Sequence, residues 1–325
     1  MNRLGRYTAR RLPQTILVAL AIAMVNFVLL HLMPGDLVDV LAGESNATDR
    51  AYLDDLRRKF GLDQPLPVQL LSYLWRVVQL DLGFSFRHNM PVATLILDRL
   101  PATLLLMAAA IGLAVLLGVV FGVTAARFVN TAIDRVISVL ALVFYATPVF
   151  WIGLMMIVLF TIELGWLPSS GMATIGGSAS GIAAVLDVAR HMVMPVLALS
   201  LFYVALYARI MRAAMLEVLR LDYIGAARAK GLTRGQAARR HALPNAVLPI
   251  VTLVGVQVGH MMGGAILVET VFAWPGIGRL AFEAVFQRDL NLLLGILLLS
   301  TIMVVTINFL VDLLYAWLDP RIELS

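Results

Sequence analysis

The sequence predicts an all-α integral membrane protein with six transmembrane helices. Of its 325 residues, 61% are hydrophobic and 14% are charged, and this apolar share is well above that of soluble domains. Six apolar runs are long enough to cross a hydrocarbon core about 30 Å thick, which takes roughly 20 helical residues. Because lipid offers backbone groups no hydrogen-bond partner, each span must be helical. The predicted spans are Leu12–Met33, Thr103–Ala126, Val136–Phe160, Met192–Ile210, Pro249–Val268 and Leu292–Leu314.

Basic residues beside these spans predict the orientation of the chain. Four arginines precede the first span, two lie between the second and third, and eight lysine and arginine residues fall within 209–248. If the helices alternate in direction, these residues share one side, and lysine and arginine concentrate in cytoplasmic loops. Both termini are therefore expected in the cytoplasm. The first span is expected to be an uncleaved anchor, because its apolar stretch exceeds that of a signal peptide.

Three regions follow from this arrangement. Residues 1–33 are predicted to form the cytoplasmic N terminus and the first transmembrane helix, and residues 34–100 an extracytoplasmic helical segment. Residues 101–325 are predicted to form a five-helix core with a cytoplasmic loop at about 209–248. In the middle region an apolar stripe recurs at helical spacing. We expect this stripe to pack on its neighbours and on the membrane surface, while binding of an external partner stays an alternative. The stripe comprises Val68, Leu71, Trp75, Val78 and Leu82.

Glycines four residues apart mark two of the predicted spans as helix-packing faces. Gly118 and Gly122 lie in the second span, and Gly255, Gly259 and Gly263 lie in the fifth. Small residues at this spacing allow neighbouring helices to approach closely. We therefore predict tight packing at both positions.

A few polar residues inside the spans are candidates for lining a translocation pathway. Gln257 and His260 fall on a helix face roughly 130° from the glycines of the fifth span. Polar side chains inside a span tend to face a bundle interior or a water path. A hydrogen-bonded histidine with a packing role is an equal alternative for His260. Weaker candidates of the same kind are Asn26, Asn308 and Asp312.

Enzymatic chemistry finds no support in the sequence. Cysteine is absent, so disulfides, thiol nucleophiles and thiolate metal sites are excluded. The two lysines, Lys59 and Lys230, do not fit the G-x-x-x-x-G-K-[ST] phosphate loop, and the five histidines form no H-E-x-x-H pair. We expect no catalytic residue, no metal site and no cofactor on this chain.

The stretch from Asp222 to Asn245, DYIGAARAKGLTRGQAARRHALPN, is the most basic part of the chain. Alanine-rich runs on both sides of Gly231 predict a helix, a glycine turn and a second helix. Gly231 suits a left-handed turn position and Thr233 can cap the second helix. Pro244 is expected to end that helix.

Three functions could explain such a unit. A helix-turn-helix DNA reader needs a recognition helix that is free to enter a major groove, whereas this unit is tied to predicted spans at both ends. A basic patch on anionic lipid, at about 1 kcal/mol for each lysine or arginine, explains the charge but not the glycine, the cap or the proline. A rigid elbow that passes a push from a soluble motor into the attached helices explains all of these features.

This stretch resembles the EAA loop of ABC-importer permeases. In that pattern E-A-A is followed by three residues, a glycine, nine residues and I-x-L-P. Here Ala226 and Ala227 precede three residues and Gly231, and nine more lead to the segment that ends in Leu243 and Pro244. The resemblance implies that these residues form the coupling site, with Arg228 and Lys230 as weaker contacts.

Two positions depart from the pattern. Gly225 stands where glutamate would be and His241 where isoleucine would be. These departures resemble the dipeptide and oligopeptide branch, in which the glutamate is often missing. Blocks along nearly the whole chain are similar to the B-type permease of dipeptide, oligopeptide and nickel importers: MPGD at 33–36, GLDQPLPVQ at 61–69, DLGFSF at 81–86, LGWLPSSG at 164–171, VETVFAWPGIGRL at 268–280 and NFLVDLLYAWLDPRI at 308–322.

The resemblance implies a type I ABC importer in a bacterial inner membrane. This chain and a second homologous permease would form the pathway for peptides or a related small solute. Two ATP-binding subunits would hold ATP and magnesium, and an extracytoplasmic solute-binding protein would deliver the cargo. Membrane lipid is a further expected partner, and nucleic acid is not.

Two rival functions stay open. A stand-alone secondary transporter would work without an ATPase and would show discontinuous midplane helices, a pattern the sequence does not show. A membrane-tethered DNA-binding regulator would bind duplex DNA through residues 209–248 with a steep dependence on salt.

Overall fold

The computed structural model describes residues 3–32, 58, 63–85, 87–174, 176 and 180–318. Most of these residues are helical, which confirms the all-α prediction. The described sheet is a two-stranded antiparallel hairpin, β1 (Phe84–Ser85) and β2 (Met90–Pro91), in which Phe84 pairs with Pro91 and Ser85 with Met90.

The helices follow the predicted spans closely, with two π-helical turns among them. The π turns are Ile157–Glu163 and Ala238–Ala242. The helices are α1 (Arg3–Leu32), α2 (Leu66–Val78), α3 (Val92–Arg127), α4 (Ala132–Ala146), α5 (Val149–Met156), α6 (Ile182–Val218), α7 (Asp222–Ala229), α8 (Arg234–Ala237), α9 (Leu243–Ala246), α10 (Leu248–Val271), α11 (Ile277–Gln287) and α12 (Leu290–Leu318).

Among the described residues, four helices are long and apolar enough to cross a membrane, and a bent pair could supply a fifth span. The four are Val92–Arg127, Ile182–Val218, Arg234–Val271 and Leu290–Leu310. The first predicted span lies in α1, where the described apolar side chains run only from Ile16 to Leu29. Six spans and cytoplasmic termini therefore stay predictions, while a multi-pass helical membrane protein is confirmed.

The third predicted span, Val136–Phe160, is not one continuous helix. Helices α4 and α5 meet at an angle of 104°. Pro148 supplies no backbone N–H, and Thr147 before it is extended, with φ −83° and ψ 131°. A residue before proline is pushed out of the helical region by its clash with the ring. The helix therefore breaks here, so the predicted span is a bent pair of helices.

The chain divides into two compact units. The first unit comprises residues 1–96 and 284–309, together with 324–325, and the second comprises 97–283 and 310–323. One unit boundary thus lies four residues before the predicted boundary at residue 100. In addition, residues 284–309 join the first unit although they lie far along the chain.

In the second unit, α6 forms the centre of the core and α3 packs directly against it. A Cβ atom at Gly118 would lie 2.5 Å from the Cβ of Tyr207, and one at Gly122 would lie 2.5 Å from the Cβ of Met211. Real Cβ atoms do not approach this closely, so only glycine permits the contact. Both Tyr207 and Met211 are fully buried.

The glycines of α10 differ from this pair. Gly255 is buried and Gly259 is half-buried, but Gly263 is exposed. A Cβ atom at Gly263 would have no described atom within 4 Å. Gly263 faces away from the helices that α10 contacts. Among the described residues of this chain it therefore has no neighbour on which it could pack tightly, as had been expected.

Candidate functional site

The candidate site is the elbow formed by α7, the turn at Gly231 and α8. The backbone of Gly231 has φ +94°, a conformation that glycine adopts at no steric cost and other residues rarely adopt. The Gly231 N–H donates to the carbonyl oxygen of Arg228 at 2.9 Å, and the Lys230 N–H donates to that of Ala226 at 3.1 Å. These bonds close the C-terminal turn of α7 and direct the chain into α8.

Thr233 caps α8, which begins the second arm of the elbow. We use this term for the helical path that starts at Arg234. The Gln236 N–H donates to Thr233 Oγ1 at 3.3 Å, and the Thr233 N–H donates to Gln236 Oε1 at 3.0 Å. This reciprocal capping box satisfies two backbone donors that the helix start would otherwise leave free. The structure thus holds Gly231 in the predicted left-handed conformation and caps α8 at the predicted residue.

Pro244 does not end the second arm, contrary to expectation. The helical path runs from Arg234 to Val271, and the π turn Ala238–Ala242 directly precedes the proline-containing α9. Proline removes one backbone donor and its ring clashes with the preceding turn of a regular α-helix. Because Pro244 lies in the first turn of a new α-helical segment, where backbone N–H groups lack partners in any case, the path continues.

The inner side of the elbow is packed, and an exposed amide bridges its two ends. Asn245 Nδ2 donates to the Tyr223 hydroxyl oxygen at 3.1 Å and to the His241 carbonyl oxygen at 2.9 Å. The Asn245 amide therefore connects the start of α7 to α9. The side chains buried beneath the elbow are Ile224, Ala237, Ala242 and Ala246.

The outer side of the elbow carries most of the predicted coupling residues. Ala227 and Leu243 are half-buried, and the others are exposed. A Cβ atom at Gly225 would have no described atom within 4 Å, so this surface would accept the glutamate of the usual pattern. The exposed coupling residues are Ala226, Arg228, Lys230, Gly231 and Pro244.

A buried ion pair fixes the helix that enters the elbow. Arg212 of α6 donates from Nε to Asp134 Oδ1 at 2.6 Å and from Nη2 to Oδ2 at 2.8 Å. The Asn130 N–H also donates to Asp134 Oδ2, at 2.9 Å. This two-pronged geometry is the strong form of a carboxylate–guanidinium contact. It joins α4 to α6 at Arg212, two turns before α6 ends at Val218.

A second buried carboxylate organises the far end of α10. Glu269 is fully buried and accepts from Thr103 Oγ1 at 2.7 Å and from the Arg279 N–H at 3.0 Å. The Ile277 N–H in turn donates to Thr103 Oγ1 at 2.8 Å. Thus Glu269 and Thr103 together cap the N terminus of α11, where a negative charge is favoured.

Glycine is required beside this carboxylate. A Cβ atom at Gly276 would overlap the Glu269 carboxyl group, and one at Gly278 would lie 2.7 Å from the Cα of Ile266. Sequence reasoning used the VETVFAWPGIGRL block only for its resemblance and missed this role of Glu269. The signal it overlooked was an acidic residue near the end of an apolar span.

The candidate pathway residues are not brought together by the structure. His260 is exposed and Gln257 half-buried on α10. Asn26 Nδ2 donates to the Leu294 carbonyl oxygen at 3.1 Å, in the first unit, and this bond gives it a packing role. The Oδ1 atom of Asn308 is buried without a hydrogen-bond partner among the described residues. The side chain of Asp312 lies outside the described part.

In the part of the chain that the structure describes, no group of three or more His, Asp and Glu side chains could hold a metal ion.

Comparison with known proteins places this architecture in a family. Residues 118–324 match the family described as binding-protein-dependent transport system inner membrane component, and residues 4–107 match its N-terminal counterpart. A chain of Brucella suis biovar 1 is 42% identical over 321 residues, covering 98% of this chain and 99% of that one.

Two further relatives cover almost the whole chain. The di/tripeptide transport system permease protein DppB of Pseudomonas aeruginosa is 38% identical, over 98% of this chain and 98% of that one. The oligopeptide transport system permease protein AppB of Bacillus subtilis is 36% identical, over 98% of this chain and 100% of that one.

A solved structure shares the fold. The MetNI methionine ABC transporter in inward-facing conformations matches with a TM-score of 0.56 and 20% identity, over 69% of this chain and 96% of that one. Members of the matched family are permease subunits and not enzymes themselves. The chain therefore belongs to the family of binding-protein-dependent transport system inner membrane components, as a permease subunit of an ABC importer.

Proposed function

We propose that this chain and a second homologous permease form the pathway for peptides across a bacterial inner membrane. An extracytoplasmic solute-binding protein delivers the peptide, and two separate subunits bind ATP and magnesium. Relatives named as di/tripeptide and oligopeptide permeases, similar over nearly their full length, support peptides as cargo. Both termini and the elbow lie in the cytoplasm in this proposal.

The elbow is the part on which the ATP-binding subunits act. Its outer side is exposed and its inner side is packed, so it can receive a push without deforming. Three residues separate α6 from α7, and the second arm runs on as one helical path into α10. A displacement of the elbow is therefore passed to both helices.

The ion pair between Asp134 and Arg212 passes the movement of α6 on to α4. Because Arg212 of α6 holds Asp134 at the start of α4, α4 follows α6 when the elbow moves. Helix α5, beyond the break at Pro148, packs on α6 and α10, so it is expected to follow these helices through its own contacts and not through a continuous helix with α4. We infer that closure of the ATP-binding subunits rotates these helices and opens the pathway outward, and that hydrolysis resets it.

The observation that carries this proposal is the left-handed backbone at Gly231, and two substitutions there test it. Gly231→Val adds a β-branched residue at φ +94°, at a cost of about 1–3 kcal/mol. We expect transport and substrate-stimulated ATPase activity to fall by roughly tenfold or more, since about 1.4 kcal/mol corresponds to a factor of ten. Peptide uptake into proteoliposomes and phosphate release measure both activities.

Gly231→Asn is the matched control. Asparagine is similar in size to valine but tolerates the left-handed region, and no described atom lies within 4 Å of a Cβ atom here. We expect it to retain most activity, with both variants inserted in the membrane at normal levels. Full activity of the valine variant, or equal loss in both variants, would show that the backbone conformation at Gly231 does not govern coupling.

A further inference from the structure

Helix α2, in the segment between the first two predicted spans, has three distinct faces. At 100° per residue, the centres of these faces lie roughly 120° apart. The first face, Leu70, Tyr73 and Val77, is half-buried. The second is apolar and exposed, and the third is polar and exposed. The apolar exposed face comprises Leu71, Trp75 and Val78, and the polar exposed face comprises Ser72, Arg76 and Gln79.

The side chains of the apolar exposed face are more exposed than side chains that pack inside a protein. Leu71 is 68% exposed, Trp75 64% and Val78 72%. The described neighbours of α2 contact a different face of the helix, so these three residues do not pack on them, and the expected packing on the membrane surface stays a prediction. None of the described residues covers these three side chains.

The half-buried face packs on α1 near the end of its apolar run. The Tyr73 ring lies 5.8 Å from the Phe27 ring, between centroids. His31 Nε2 and Gln69 Oε1 are 3.0 Å apart. Phe27 lies six residues before Met33, where the first predicted span ends, and six helical residues rise about 9 Å. Tyr73 therefore contacts α1 within the last two turns of that span.

The chain that leaves α2 stays at this level. Asn26 is hydrogen-bonded to the Leu294 carbonyl oxygen. At the next residue, a Cβ atom on Gly295 would lie 3.6 Å from the Cβ of Leu82. Tyr73 and Leu82 therefore contact the same layer of α1 and α12, and the segment between them runs across these helices instead of along them. That layer is about one turn from the start of α12 at Leu290.

We propose that α2 is an interfacial helix whose apolar exposed face inserts into the outer leaflet of the lipid bilayer. This inference rests on the membrane placement proposed above. Helices with one apolar and one polar exposed face lie in the interface plane, with the apolar side buried about 5–10 Å into the headgroup and acyl boundary. The third face of α2 binds α1, which fixes the helix beside the membrane span.

Two features favour lipid over a protein as the occupant. The outward surface of α1 is also apolar and exposed, at Leu17, Val25 and Val28, as expected of a membrane span that faces lipid. Trp75 lies in the apolar face, and tryptophan is enriched at membrane interfaces, where its ring is apolar and its N–H is hydrated. Arg76 on the polar face points its charge away from the acyl chains.

The absence of cysteine from the chain makes a label scan direct. Leu71→Cys and Val78→Cys report the apolar face, and the matched controls Ser72→Cys and Arg76→Cys report the polar face of the same helix. Each variant carries a nitroxide label in the assembled transporter, in nanodiscs of phosphatidylethanolamine and phosphatidylglycerol. Collision of the label with oxygen and with a water-soluble nickel chelate gives its depth.

We expect labels at 71 and 78 to lie about 5–10 Å below the phosphate level, with labels at 72 and 76 in water. Equal access of the nickel chelate to all four labels would overturn the proposal. So would shielding of 71 and 78 that appears only when the binding protein is added, or shielding from both oxygen and nickel, which would indicate a protein contact. The depth measurement uses no ATP, so it is independent of a failure of ATP-driven uptake, which would count against the proposed function.

Discussion

Replacing Glu269 by alanine is expected to destabilise the folded permease by about 3 kcal/mol or more. The Glu269 side chain accepts bonds from Thr103 Oγ1 and from the Arg279 N–H, and each buried donor left unpaired costs about 1–3 kcal/mol. The alanine variant leaves these buried donors unpaired at the start of α11. We expect the thermal midpoint of the detergent-solubilised protein to fall by about 5 °C or more.

Glu269→Gln is the control for this prediction. Its side chain keeps the same shape, with an oxygen that can face the Arg279 N–H and an amide that can donate to Thr103 Oγ1. We expect it to retain most of the stability that alanine loses. A midpoint for the alanine variant within 1 °C of the wild type, a shift below about 0.5 kcal/mol, would show that the carboxylate does not hold α11.

Removal of either partner of the Asp134–Arg212 pair is the second large effect that we expect. Breaking a buried ion pair by deleting one partner costs about 3–5 kcal/mol. Asp134 is almost fully buried, but the Arg212 side chain keeps 31% exposure, so we expect about 2–3 kcal/mol for Asp134→Ala or Arg212→Ala. ATP-driven uptake should fall with stability, because α4 then loses its ion pair with α6.

The double variant and a surface pair complete this test. We expect the Asp134→Ala, Arg212→Ala double variant to lose less stability than the sum of the losses in the two single variants. Each single variant leaves one charge unpaired, whereas the double variant removes both charges. Glu283→Ala breaks the half-exposed pair with Arg279 and should cost less than about 1 kcal/mol. Additive single effects, or an equal loss at Glu283, would contradict a special role for Asp134 and Arg212.

The elbow could be predicted from sequence because its signals are local. Gly231 and Thr233 act on backbone groups within a few residues, so their spacing alone predicted the left-handed turn and the cap. The apolar spans are similarly local, since about 20 consecutive residues decide whether a helix can cross a membrane. Family resemblance then supplied the function that no single motif could show.

Prolines show where local reasoning failed. Pro148 breaks one predicted span, whereas Pro244 does not end a helix that was expected to stop. The difference depends on how the neighbouring turn accommodates the lost N–H, and the π turn before Pro244 has no clear sequence signature. Prolines also lie inside α3 and α6, at Pro101 and Pro195.

Contacts between distant parts of the sequence were not predictable from one chain. Asp134 and Arg212 are 78 residues apart, and Thr103 and Glu269 are 166 residues apart. Periodicity places each residue on a helix face but does not say which helix that face meets. For the same reason, the spacing of Gly255, Gly259 and Gly263 could not show that Gly263 faces outward while Gly118 and Gly122 pack on α6.

Uptake of a labelled di- or tripeptide into proteoliposomes tests the central claim most directly, namely that ATP-binding subunits drive this pathway through the elbow. We expect uptake when this chain is reconstituted with a second permease, the two ATP-binding subunits, the binding protein and ATP with magnesium. We expect none when the chain is reconstituted alone without nucleotide. Peptide uptake by the chain alone would contradict the account and would indicate a secondary transporter.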